Sequence, residues 1–311
     1  MITLADEFEK WLRSEGLSKE GIRNLVSQYY EFCSYCADRM IKISDLCVSV
    51  TRDYILWLNE RPNYHNGQPL STGTKAKHFT CLWRISSFLM EHGLIKTSLL
   101  GEIRRPRRQK PVIHSFSTEQ LQAIMDTIRD MRANPKFKER MALLVYLLAS
   151  TGLRIEEARN LRLSVFDHYL RRMIVLGKGN KEREVPFSEI LSDWILDYAY
   201  RYNLGQDDLL FASRYNKPLA SSTIRDALRK TGKALGTHLN IDRMRVSPHT
   251  FRHTFARSWV TKGGNTLALT RILGHSSTAM TLNYVRLWGV DLNQAYDQCD
   301  PCGDIKVPRF Q

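Results

Sequence analysis

At 311 residues the chain has the length of about two ordinary domains and can bury its cores without disulfides. A hydrophobic content of 43% excludes wholesale disorder, and no apolar run reaches the ~18 residues of a membrane span. The formal net charge of +14 points to a partner rich in phosphate, and no basic amphipathic segment with an aromatic apolar face argues for a membrane surface instead.

The first segment, MITLADEFEKWLRSEG, is acidic and amphipathic, with Leu4, Phe8, Trp11 and Leu12 on one helical face. It lacks the basic start and apolar core of an export signal, so a cytoplasmic protein is expected. The cysteines Cys33, Cys36, Cys47, Cys81, Cys299 and Cys302 then read as free thiols. Two C-x-x-C pairs lie near opposite ends of the chain. A four-ligand zinc site would need both to meet in space, so no metal is expected. A second helix starts at the Ser18 cap, a third runs through SVTRDYILWLNERP, and a fourth through STGTKAKHFTCLWRISSFLMEHG to Gly93. Four short helices make a small bundle over residues 1–103. Lys75, Lys77 and His78 near the start of the fourth either lie against DNA or form a solvated face.

Residues 1–103 hold 12 basic and 12 acidic side chains, which cancel. The next stretch, RRPRRQK, adds Arg104, Arg105, Arg107, Arg108 and Lys110 with no acid. Pro106 and Pro111 prevent a continuous helix there. Residues 104–115 therefore read as an extended basic linker that tracks a phosphate backbone.

The second unit, residues 116–311, opens with a capping box at Ser117 and Gln120, and a buried helix, KERMALLVYLLASTG, ends at Gly152. TGLRIEEARNL follows as the start of an amphipathic helix. It puts Arg154 in a first turn whose macrodipole end is already positive and would prefer an acid, which suggests an awaited anion. Residues 172–186, RMIVLGKGNKEREVP, change to strand periodicity around a turn: a β-hairpin with Lys178 and Lys181 at its tip and Arg183 just beyond. GKGNK is not a nucleotide-binding P-loop, which needs G-x-x-x-x-G-K-[ST]. Helices resume near Ser188. In SPHTFRHTFARSWVTKGG, Ser247 caps a helix and Pro248 takes its first position. His249 and Arg252, three apart, share a face at an anion-binding helix N-terminus, while Phe251, Phe255 and Trp259 form an apolar face. In RILGHSSTAMTLNYVR, Gly274 ends a helix, His275 follows it, and Tyr284 falls on the next helix. His253 reads as a packing residue or as support behind the side chains that face the anion.

Each of these features alone is ordinary. In order and at these spacings, Arg154 in TGLRIEEARNL, Lys178 in GKGNKER, His249 and Arg252 in HTFRH, His275 in LGHSS and Tyr284 in NYVR closely resemble the tyrosine recombinase (phage integrase) family over residues 112–290. The likeness is to its shorter, Xer-like and transposon-encoded members. The resemblance implies a mainly α fold with a small β-sheet: a SAM-like core-binding helical bundle plus an α/β-hairpin catalytic domain, forming a C-shaped clamp on DNA. It implies a site-specific recombinase that forms a 3′-phosphotyrosine and passes through a Holliday junction, with no cofactor. Tyr284 would be the nucleophile, Arg154 and Arg252 the phosphate clamp, and Lys178 the general acid. His249 would be the base or orienter, His275 a donor to the phosphate, and Glu157 the support of Arg154 or the partner of a histidine. Lys181, Arg183 and Arg286 would join the linker cations and Lys75 and Lys77 on DNA. The implied partner is double-stranded DNA with inverted half-sites, bound by a homotetramer that is a monomer or weak dimer when free and sits with the nucleoid. Arg286 stands where the family often has histidine, and Glu156 where a small residue is common. The tail from Asp291 could dock on a neighbouring subunit. A type IB topoisomerase-like enzyme and a non-catalytic DNA-binding protein are the alternatives.

Overall fold

A computed structural model describes residues 4–64, 67–106, 113–177 and 181–275, together with 278, 281, 282 and 284. The chain divides into two compact units, Met1–Pro111 and Val112–Gln311. Among the described residues no helix is long and apolar enough to cross a membrane.

The first unit contains helices α1 (Ala5–Ser14), α2 (Lys19–Ala37), α3 (Val48–Glu60) and α4 (Thr72–Glu91). Ser18 and Ser71 cap α2 and α4 by accepting the backbone N–H three residues on, satisfying donors that a helix start leaves unpaired. Aromatic side chains fill the core: Phe8, Tyr29, Phe32, Tyr54 and Phe88 are all buried. The same core takes in His78, which the sequence left either on DNA or in solvent. It occupies the stripe of α4 that also carries Leu82, Ile85 and Leu89, and its Nδ1 lies 3.2 Å from the Tyr54 hydroxyl. Lys77 is exposed and Lys75 half-buried. Arg104 and Arg105 are exposed, with Arg105 donating to the Thr80 hydroxyl at 3.1 Å. Arg107, Arg108 and Lys110 lie outside the described residues. Cys33, Cys36 and Cys81 are buried free thiols and Cys47 is exposed. Cys299 and Cys302 lie outside the described residues.

The second unit is mainly helical around a small antiparallel sheet. Its elements are α5 (Thr118–Asp130), α6 (Pro135–Thr151), α7 (Ile155–Ala158), β1 (Phe166–Asp167), β2 (Arg172–Leu176), β3 (Glu182–Pro186), α8 (Glu189–Arg201), α9 (Ser221–Leu235), α10 (Pro248–Thr261) and α11 (Thr266–Leu273). The hairpin expected from residues 172–186 is β2–β3, in register with Met173 opposite Val185 and Val175 opposite Arg183. The sequence did not anticipate β1, which pairs with β2 through Phe166 and Met173. Met173, Val175 and Val185 face a core shared with Leu143, Leu144, Leu147 and Leu148 of α6. The helix expected from Arg154 onward is one turn long. It closes at Ala158, and Leu161 then pairs its carbonyl with the Leu210 N–H.

Candidate active site

The site begins at a glycine. Gly152 ends α6 with φ +66°, and a Cβ there would lie 2.5 Å from Phe255 Cδ1 and 2.8 Å from Leu273 Cδ2. Both the left-handed backbone and the close approach of α10 and α11 require glycine. Two residues on, Arg154 caps α7 in an extended conformation. The Glu157 carboxylate reaches back to its backbone N–H at 2.8 Å and to its Nη1 at 3.0 Å. The misplaced positive charge of the first turn is therefore met by an acid inside that turn.

Glu157 does more than cap. It is 9% exposed and also receives Nη1 and Nη2 of Arg183 at 2.8 and 2.7 Å. Burial alone would raise its carboxyl, but the hydrogen bonds from Arg183 and Arg154 outweigh this and hold it below the usual carboxylate range. Glu157 pairs with two arginines and not with a histidine. Arg183 corrects a second expectation: its side chain is only 10% exposed, so its guanidinium serves the interior of the site and not a DNA surface. The period of a strand explains why, since Arg183 shares a face of β3 with the buried Val185.

A helix leaves its last carbonyls without intrahelical partners. At the end of α11 three consecutive carbonyls are taken by three guanidinium groups from three elements. Arg183 of β3 donates to Ile272 at 2.7 Å, Arg252 of α10 to Leu273 at 2.8 Å, and Arg154 to Gly274 at 3.3 Å. The negative end of the α11 dipole favours cations there. Gly274 has φ +62°, and a Cβ on it would press on the Arg183 Cδ at 2.9 Å. Arg252, 5% exposed, also donates to the Gly152 carbonyl at 2.7 Å. Burial, followed by the charge of Arg154, brings its pKa down to about 10, so it stays cationic at neutral pH. Two of its five N–H groups are committed to these carbonyls, leaving others for an anion.

Ser247 and Pro248 start α10 as expected, with the Ser247 hydroxyl accepting the Thr250 N–H. His249 is exposed on the first turn. Partial desolvation and the charges of Arg252, Arg154 and Arg245 hold its pKa below the ordinary value. One turn on, His253 Nδ1 lies 2.8 Å from the Tyr284 hydroxyl. Thr281, Leu282 and Tyr284 are helical, and Tyr284, 6% exposed, packs with Ala256, Val260, Leu269 and Leu273. His275 follows the Gly274 cap. Its Nδ1 is 2.8 Å from the Thr281 hydroxyl, and its ring stacks on Tyr284 with centroids 6.2 Å apart and planes 20° apart. Burial, then Arg252 and Arg154, push the His275 pKa down to about 4, so it is neutral at pH 7. Burial raises the Tyr284 phenol against the opposing pull of Arg252 and Arg154, so it keeps its proton at rest.

Arg154, Glu157, Arg252, His275 and Tyr284 thus meet around the end of α11, with His249 at the rim. Lys181 is exposed at the start of β3. Lys178 and Arg286 lie outside the described residues. Sequence reasoning missed the places of Arg183 and His253. The signals were the alternation of β3 and the spacing of four between His249 and His253, which gives them one helix face. Three arginines against one carboxylate leave an excess of positive charge beside a protonated phenol. Such an arrangement is suited to hold an anion and to direct a hydroxyl at its central atom.

The sequence profile of the phage integrase family matches residues 114–288. The tyrosine recombinase XerC of Haemophilus influenzae (strain PittEE) is 30% identical over 240 residues, covering 75% of this chain and 77% of its own. Among solved structures, the XerH site-specific recombinase bound to a palindromic difH substrate matches with a TM-score of 0.71 at 18% identity, over 95% of this chain and 85% of its own. The Tn1549 transposon integrase in complex with transposon right end DNA matches with a TM-score of 0.68 at 17% identity, over 96% and 98%. At these identities the two structures speak for the fold.

Proposed function

The chain belongs to the phage integrase family, and on that premise we propose that it is a site-specific DNA recombinase acting through a covalent 3′-phosphotyrosine. The observation that carries this reading is the placement of the Tyr284 hydroxyl, in its own subunit, beside arginines anchored on consecutive carbonyls of α11. Arg154 and Arg252 grip the non-bridging oxygens of a phosphodiester through charge-assisted hydrogen bonds. Tyr284 Oη attacks phosphorus and the bond to the 5′-oxygen breaks, leaving a phosphotyrosine and a 5′-hydroxyl. His275, held through Nδ1, offers Nε2–H to the phosphate, and His249 faces it from the first turn of α10. Lys178 is assigned as the acid that protonates the leaving oxygen. The covalent link conserves the bond energy, so a 5′-hydroxyl from another strand can reverse the step without a nucleotide cofactor.

In this reading residues 1–103 are the core-binding unit and residues 116–311 the catalytic unit. The basic linker, with Lys75, Lys77, Lys181 and Arg286, contacts phosphates. Two subunits bind inverted half-sites and two such pairs form a tetrameric synapse on DNA, in the cytoplasm with the nucleoid. Affinity falls steeply with salt because many phosphates are neutralised.

A nicked suicide duplex carrying one half-site tests the reading. The wild-type chain accumulates a covalent adduct and Tyr284→Phe none. A wild-type chain that binds but never forms the adduct would leave a DNA-binding protein only. Relaxed circles without recombinants or Holliday junctions would point to a topoisomerase.

A further inference from the structure

The reaction above leaves one proton unassigned: that of the attacking phenol. The geometry points to His253, not His249, as the catalytic base that takes it, with the Tyr284 hydroxyl donating to His253 Nδ1 in the resting site. This rests on the recombinase reading and adds a reacting group to it.

The contact is short, at 2.8 Å, and largely removed from water: Tyr284 is buried and His253 half-buried. His253 is the residue after Arg252 on α10, and Arg252 is pinned at both terminal nitrogens. The helix therefore fixes the hydroxyl relative to the guanidinium that would hold the phosphorus centre. His249, in contrast, is exposed one turn earlier.

The charged and titratable groups facing His253 are His249 and Arg252 on its own helix and, across from it, His275 and Tyr284. Burial, followed by His249 and Arg252, keeps His253 below the ordinary histidine value, so it is neutral at pH 7 and can offer Nδ1 as an acceptor with its proton on Nε2. The substrate then changes the balance. A phosphodiester brings one negative charge against Arg252 and offsets the cation that weakens His253 as a base. At the same time, bonding of the phenolic oxygen to phosphorus makes its proton strongly acidic. The complete step forms Oη–P, breaks P–O5′, passes the phenolic proton to His253 Nδ1 and gives the 5′-oxygen a proton from Lys178. Resealing returns the His253 proton to Tyr284. The anion therefore strengthens the base at the point where the nucleophile is needed.

Single-turnover cleavage of the suicide duplex by the full chain tests this. His253→Gln keeps a polar side chain without the basicity, and it is expected to slow adduct formation by about 10²–10⁴-fold with DNA affinity unchanged. The acid limb of the wild-type pH–rate profile disappears in His253→Gln and persists in His249→Gln. A duplex with sulfur in place of the 5′-bridging oxygen needs no proton on its leaving group, and it leaves the His253→Gln defect in place. Rescue by that sulfur would put His253 on the leaving-group side and overturn the assignment. So would loss of the acid limb in His249→Gln, a result that decides the matter even if His253→Gln does not fold. Failure of the wild type to form an adduct would remove the recombinase reading and this inference together. A normal wild type with a normal His253→Gln removes the inference alone.

Discussion

Among the described residues a histidine meets a tyrosine hydroxyl in each unit, and the two contacts sit in opposite electrostatic surroundings. In the N-terminal unit His78 Nδ1 meets the Tyr54 hydroxyl at 3.2 Å; in the C-terminal unit His253 Nδ1 meets that of Tyr284 at 2.8 Å. The chemistry of the two contacts is the same. What differs is the charge around them. Beside the first pair stand Glu31 and Arg61, joined in an ion pair, and burial and then the carboxylate of Glu31 both push the Tyr54 phenol up. Around the second stand Arg252 and Arg154, whose charges oppose the effect of burial on Tyr284. Next to a paired carboxylate the buried phenol is a core contact; next to an excess of positive charge it suits the nucleophile proposed above.

The largest expected difference is in covalent chemistry. Tyr284→Phe abolishes the adduct on a suicide duplex, whereas Tyr54→Phe cleaves at the wild-type rate and loses stability by about 1–3 kcal/mol, because His78 is left without its buried partner. Equal cleavage by both variants would erase the distinction. The arginines sharpen it. Arg252→Ala lowers the cleavage rate by about 10²–10³-fold, the effect of one preorganised donor at a developing charge. Arg61→Ala leaves the rate intact and lowers the denaturation midpoint, since Glu31 then lies half-buried with only the neutral His78 ring, at 3.7 Å, to face it. The smallest effect is a shared one. His78 and His275 both have their pKa pushed down to about 4, against 6.5 for an ordinary histidine. Between pH 6.5 and 4 the unfolded chain binds protons that the folded chain does not, so stability is full above that window and falls as pH drops through it. Chemical denaturation over this range reads the slope, and His78→Gln should flatten part of it while leaving cleavage near neutral pH unchanged.

The elements were legible because they depend on local rules, and the site residues because, taken in order, they resemble those of a known family. Caps at Ser18, Ser117 and Ser247, the glycine stops at Gly152 and Gly274, and the hairpin between residues 172 and 186 follow from backbone preferences of neighbouring residues. Arg154, Arg252, His275 and Tyr284 were found as a set in order. What was not legible depends on distant partners. Arg183 looked like another surface cation because a sequence shows its charge and not the Glu157 carboxylate 26 positions away that buries it. His78 looked free because its partner is on another helix. His253 looked like packing or support because only the return of the chain at Tyr284, 31 residues later, gives it a hydroxyl to hold.

The run of three carbonyls at the end of α11 carries a consequence for how the protein can vary. Ile272, Leu273 and Gly274 each seat a different arginine, so the fit depends on the phase of the helix and not only on its composition. Inserting or deleting a single residue within Thr266–Leu273 would turn these acceptors by about 100° and unseat all three arginines at once. Side chains on the outer face of α11 are free to drift; its length is not.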